Sequence, residues 1–213
     1  MFKKIGLFFV LTIAFTSIVL GQNNHSNGNG NVNGNGRSAV LKVNEAKFPW
    51  SITHLAEKLM VEVTRNGNGD IISADALVAS MPPFPSDLYS TDSLAAWGTE
   101  TGRRYLVIVN IDTEGLEKHK TFNIPLVVSK YEHVGVVTGE LRIIDVIRKK
   151  VVLADQFIFE KEAKRIVQAA IDDDINDADL HISAPEKIRF FGELENELAK
   201  ELANKIRSAT GLR

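Results

Sequence analysis

Gly98–Asp112 reads GTETGRRYLVIVNID, and the fold follows from it. A short helix over Thr91–Thr101 stops at Gly102, and a strand runs from Tyr105 to Asp112. Both alternating sets of that strand, Tyr105-Val107-Val109-Ile111 and Leu106-Ile108, are apolar. Neighbouring side chains of a strand point to opposite faces, so a strand apolar on both sets is covered on both faces. It belongs in the middle of a sheet, with the other elements packed around it.

Downstream, Thr113–Lys120 is polar and reads as a turn, and Ile124–Ser129 reads as a short strand. Val134–Ile147 is long, and Thr138, Glu140 and Arg142 alternate there with Val137, Gly139, Leu141 and Ile143, so one face meets water. Arg148-Lys149-Lys150 leads into a further strand, Val151–Phe159. Two strands joined by so short a link form an antiparallel hairpin. Glu162–Ala170 has helical spacing. From Pro185, the residues Ile188, Phe191, Leu194, Leu198, Leu202 and Ile206 line one face of a long helix, with Glu193, Glu195, Glu197, Lys200 and Arg207 on the others. Pro185 in the first turn and Gly211 past the end suit its termini.

Upstream, Val40–Val43 is a strand. Ser51 caps an amphipathic helix carrying Ile52, Leu55, Ala56, Leu59, Met60 and Val63. Asp70–Ser73 is a short strand, Ala74–Ser80 a helical turn, and Met81–Pro85 an extended connector, since proline lacks a donor and restricts its neighbour. Thr91 or Asp92 caps the next helix. The fold class is α/β: a single domain with a mixed sheet, a long antiparallel hairpin, and amphipathic helices that include a long C-terminal one.

The remaining composition narrows function by exclusion. With 25 basic and 27 acidic residues among 213, the net charge of −2 offers no basic stripe for nucleic acid. The absence of cysteine removes disulfides, thiol catalysis and cysteine zinc sites. Residues 1–21 read as an export signal: Lys3 and Lys4, then an apolar run Ile5–Leu20, then Gly21 before Gln22. If uncleaved, that segment is the only membrane contact. Residues 22–37 are almost pure Asn and Gly, a tether with nothing apolar to bury. Residues 38–213 are the α/β domain.

No phosphate loop, dinucleotide fingerprint, serine elbow or zinc helix is present, so no catalytic or cofactor-binding residue is assigned. The histidines are scattered; His119 and His133 flank one strand region and read as loop residues. The acidic loop Asp172–Asp179 is the one candidate site. Asp172, Asp174 and Asn176 match the first, third and fifth positions of a calcium loop. Asp177, however, stands where that loop needs glycine, and Ser183 where it needs a bidentate glutamate. A solvated loop is the plainer reading and a weak Ca2+ site the sharper one.

Several segments resemble a group of bacterial envelope domains: the helix-to-strand passage Ile52–Ala76, the Gly102-Arg103-Arg104-Tyr105-Leu106-Val107 strand start, and Ile143-Ile144-Asp145-Val146 followed by Val151-Val152. The group includes the TolB amino-terminal domain, the curli secretion lipoprotein and the lipoprotein activators of penicillin-binding proteins. The resemblance implies a non-enzymatic domain that binds other envelope proteins or forms a homo-oligomer. The expectation is an exported periplasmic or outer-envelope module, meeting partners through a sheet edge or the loops around Pro82–Pro85 and Asp172–Asp179. The alternative is a hydrolase or calcium-dependent enzyme built on Asp112, Glu114 and His133 at strand ends.

Overall fold

A mixed sheet in the order β2-β1-β3-β4-β5 organises the chain. The computed structural model describes residues 38–44, 54–65, 69–124, 128–169 and 182–212. Its elements are β1 (Ser38–Asn44), α1 (Leu55–Thr64), β2 (Asp70–Ser73), a single 3-10 turn (Ala74–Leu77), α2 (Thr91–Glu100), β3 (Tyr105–Ile124), β4 (Val128–Asp145), β5 (Lys150–Ala169) and α3 (Ala184–Thr210).

β1 runs parallel to both β2 and β3, while β3, β4 and β5 are antiparallel. The chain steps from β1 outward to β2 through α1, then back across β1 to β3 through α2. The two crossovers travel in opposite directions, so a single hand of crossover puts α1 and α2 on opposite faces. β3 is central as expected, with Leu106, Val107 and Val109 fully buried.

The two alternating sets of β3 feed two cores. Tyr105, Val107, Val109 and Ile111 join Leu141, Ile143 and Phe157 beneath α1 and α3. Leu106 and Ile108 join Val40, Ile144 and Val146 beneath α2, whose Leu94, Ala95 and Trp97 point inward. α3 begins with the Ser183 backbone N–H donating to Glu186 Oε2 at 3.2 Å and its hydroxyl donating to the same oxygen at 2.8 Å. It ends at Gly211, whose φ of 70° is the left-handed cap that only glycine adopts without strain. Phe191, Leu194, Leu198, Leu202 and Ile206 are buried as the helical spacing requires.

Several expectations are corrected. Thr113–Lys120 is not a turn: β3 continues through it to Ile124, paired with β4 throughout apart from register shifts at Ile111/Thr113 and Lys120/Phe122. Glu162–Ala170 is not a helix, because β5 extends to Ala169 against the start of β4. The α1 N-cap position is His54 and that of α2 is Ser90, whose hydroxyl oxygen accepts the Ser93 N–H at 3.4 Å. Ser51 lies outside the described residues. Ile188 is exposed, because the inward positions at the start of α3 are taken by Lys187, Phe190 and Phe191. Glu195 is buried, its carboxylate accepting the Lys58 ammonium at 2.6 Å.

Candidate functional site

The residues of the enzymatic alternative do not converge. Asp112 is the extra residue at the first register shift of β3, and its Oδ1 accepts the Asn110 side-chain N–H at 2.6 Å. It therefore lies on the α2 side of the sheet. Glu114 stands opposite Val137, which belongs to the core under α3, so it points to the other face. His133 shares that face and is fully buried, opposite Lys118. Lys118 is four residues along the strand from Glu114, or about 13 Å. All three residues sit within strands rather than at strand ends. His119 is exposed, with Nε2 2.9 Å from Glu117 Oε2, and is turned away from His133. Asp172, Asp174 and Asn176 lie outside the described residues. Among the described residues, no three His, Asp or Glu side chains gather as a metal cluster would.

The proline segment has a structural task. Trp97 Nε1–H donates to the Pro82 carbonyl at 2.9 Å, and Phe84 meets the Trp97 ring edge-on with centroids 4.8 Å apart. Met81 and Phe84 thereby close the core under α2, leaving only Pro82 and Pro83 exposed. Beside this segment, the Tyr89 hydroxyl donates to Glu140 Oε2 at 3.0 Å, and the Arg142 guanidinium stacks 5.5 Å from the Tyr89 ring. The Glu140 carboxylate, accepting that phenolic proton, holds the Tyr89 pKa above its ordinary value. Arg142 also donates to the Tyr89 carbonyl at 3.3 Å and to the Thr91 hydroxyl at 3.2 Å, tying this cluster to the start of α2.

Of the two outer strands of the sheet, β2 and β5, the second offers by far the longer edge. This strand spans 20 residues, and among the described residues no strand lies beyond it. On the α3 side its charged residues are engaged: Lys161 with Glu197 at 2.6 Å and Glu193 at 3.5 Å, and Asp155 with Lys205 at 2.9 Å. On the other side Ala154, Gln156, Ile158 and Glu160 face solvent, with Ile158 71% exposed. A bare strand edge presents a row of unpaired backbone donors and acceptors, which is a template for another strand. Sequence reasoning named a sheet edge as a contact surface without identifying this one. The alternation of Leu153-Asp155-Phe157-Phe159 with Ala154-Gln156-Ile158-Glu160 marks a strand, and nothing in it says which side lacks a neighbour.

No protein-family model matches the chain, and no curated protein matches it. Among solved structures, it resembles the hypothetical protein CT253 from Chlamydia trachomatis at 13% identity and a TM-score of 0.46, over 83% of this chain and 98% of that one. A minor lipoprotein from Acinetobacter baumannii aligns at 12% identity and a TM-score of 0.41, over 81% and 93% of the two chains. TolB from Acinetobacter baumannii aligns at 12% identity and a TM-score of 0.30, over 56% of this chain and 22% of TolB. The structural neighbours thus include a bacterial lipoprotein and a TolB chain, and at these identities they assign no role to any residue here. No helix among the described residues is long and apolar enough to cross a membrane.

Proposed function

We propose that this chain is an exported cell-envelope protein whose α/β domain is a non-enzymatic binding or assembly module for other envelope proteins. The observation that carries this reading is the 20-residue outer edge of β5, with no described strand beside it. Export rests on the basic-then-apolar pattern of residues 1–21, and the envelope setting on the sequence resemblance. The dispersal of Asp112, Glu114 and His133 over both sheet faces leaves the enzymatic alternative without a constellation.

The test is crosslinking of the tagged chain in its own cells, followed by identification of what is captured. The same envelope proteins should recur in independent repeats, and the intact mass should show residues 1–21 removed. Capture of no other protein would overturn the binding reading. Asp172, Asp174 and Asn176 are proposed as a weak calcium site. Millimolar calcium should raise the melting temperature, and Asp172→Ala with Asp174→Ala should abolish the rise; no rise in the unaltered chain removes the site.

A further inference from the structure

The outer edge of β5 is bounded, has no strand beside it among the described residues, and is complementary to itself. Its pairing with β4 shifts register at Ile143/Ile144 and at His133/Val134, which leaves Val152 and Ala163 as extra residues on β5. Bulges bend a strand and interrupt its pairing, so they delimit a regular run, Leu153–Glu162, with Ile158 beside its midpoint. Natural edges are usually blunted by lysine, proline or an inward charge. Leu153–Glu162, reading LADQFIFEKE, has no proline, and its inward charges, Asp155 and Lys161, are already held within the same copy by Lys205 and Glu197.

We propose that two copies of this chain join their sheets edge to edge, β5 antiparallel to β5, about a two-fold axis passing through Ile158. Such an axis stands perpendicular to the sheet, so the α3-covered faces of both copies lie on the same side. Ile158 meets its own copy. Phe157 stands opposite the second copy's Phe159, and Asp155 opposite its Lys161, each pair occurring twice. Gln156 stands opposite Glu160, and within Leu153–Ala163 no like charges face one another. Cross-strand aromatic and opposite-charge pairs are the contacts that stabilise antiparallel strands. Moving the axis to Phe157 sets Asp155 against Phe159, and moving it to Phe159 sets Lys161 against Phe157. Moving it to Glu160 or Asp155 stacks a carboxylate on its own copy.

The helices extend the match. Lys205 holds Asp155, and Glu197 holds Lys161, within each copy. The pairing therefore builds a row of alternating sign, Lys205–Asp155 in one copy and Lys161–Glu197 in the next, twice over. This charge complementarity favours a second copy over an unrelated strand as the occupant. The inference rests on the reading of the domain as an assembly module, but its failure leaves that reading standing, because capture of other envelope proteins is measured separately.

The chain has no cysteine, which permits a direct test. Opposed residues in antiparallel strands have Cα atoms about 4.5–5.5 Å apart, within disulfide reach. Ile158→Cys should therefore give a reducible covalent dimer under mild oxidant, two thiols being oxidised to one disulfide. Gln156→Cys should not, since its two copies lie four residues apart along the strands, about 13 Å. The purified unaltered chain should show twice the monomer mass in light scattering, and Ile158→Lys should halve that mass. Because Ile158 is exposed, the lysine variant should keep its circular dichroism spectrum, which separates loss of pairing from loss of fold. The proposal is overturned if the unaltered chain is monomeric, if Gln156→Cys crosslinks as readily as Ile158→Cys, or if Ile158→Lys keeps the doubled mass. It is also overturned if a crosslinker at position 158 captures a different protein in cells and never the second copy.

Discussion

The face of the sheet under α1 and α3 is closed chiefly by one 27-residue helix, whereas the opposite face is closed by a ten-residue helix and a proline-rich segment. The first is built by periodicity. Leu194, Leu198, Leu202 and Ile206 recur every four residues, and each meets the sheet without any special geometry. The second is built by individual contacts: the Trp97 N–H on the Pro82 carbonyl, and Phe84 edge-on against the same ring. A core made by periodicity spreads its stability over many similar residues. A core made by single contacts concentrates it in a few. The two faces should therefore respond differently to substitution.

The largest effect is expected on the periodic face. Leu202 is fully buried, and Leu202→Ala should cost about 2–5 kcal/mol from lost burial plus the cavity left behind. Denaturant unfolding followed by fluorescence and by circular dichroism should shift together, because both cores share β1, β3 and β4. If Trp97 fluorescence, read in a Trp50→Phe background, kept its midpoint while the helical signal moved, the two faces would be separate folding units and the comparison would break. Next comes Gly135, which faces Phe190 and Leu194 of α3. A Cβ placed there would lie 2.5 Å from the Phe190 ring. Gly135→Ala should cost about 1–3 kcal/mol through overpacking, read as a lower urea midpoint with unchanged slope.

The same contrast explains what could be read from the sequence. α3 was legible to within a turn because its apolar stripe is long and its ends carry Pro185 and Gly211. The hairpin and the central strand were legible because their alternation is clean. Thr113–Lys120 was not legible as strand, since its window has almost no apolar alternation. It puts Glu114 and Lys118 on the side that α3 covers, while Glu117 and His119 pair in solvent. Backbone pairing with β4, not side-chain pattern, holds it extended. Ala163, Ile166 and Val167 are spaced as a helix would space them, yet the start of β4 takes the backbone of Ile166 and Val167 into a ladder and leaves Ala163 as a bulge. The enzymatic candidates failed for a related reason. Placing Asp112, Glu114 and His133 at strand ends assumed short strands, and the longer strands with a bulge at Asp112 spread them over two faces.

On the contact-built face, Trp97→Phe keeps most of the ring and removes the N–H. The loss of the bond to Pro82 should cost about 1 kcal/mol, since the half-exposed carbonyl can turn to water instead. The sharper readout is local: limited proteolysis between Met81 and Pro85 should quicken more than the global shift in stability accounts for. Equal slowing or quickening everywhere would mean that the segment is held by the rest of the fold and not by this ring.

The smallest effect tests the polar margin of that face. The Glu140 carboxylate accepts the Tyr89 phenolic proton, with lesser contributions from the negative charges of Glu140 and Asp112, and Arg142 pulls the other way. The phenol is thus raised above its ordinary 10.0. The sign of the linkage follows from this. The folded chain holds the proton more tightly than the unfolded chain, so the stabilisation is fully present below pH 10.0 and is lost as pH rises through the higher folded value. Difference absorbance against Tyr89→Phe should isolate this one phenol among the three tyrosines and show it ionising late. Glu140→Gln removes the charge and leaves an oxygen that still accepts, so the titration should move back toward its ordinary position without returning fully. A titration unmoved by Glu140→Gln would show that the Glu140 carboxylate does not hold the proton. The margin would then owe nothing to that single contact, and the contrast between the two faces would narrow to Trp97 alone.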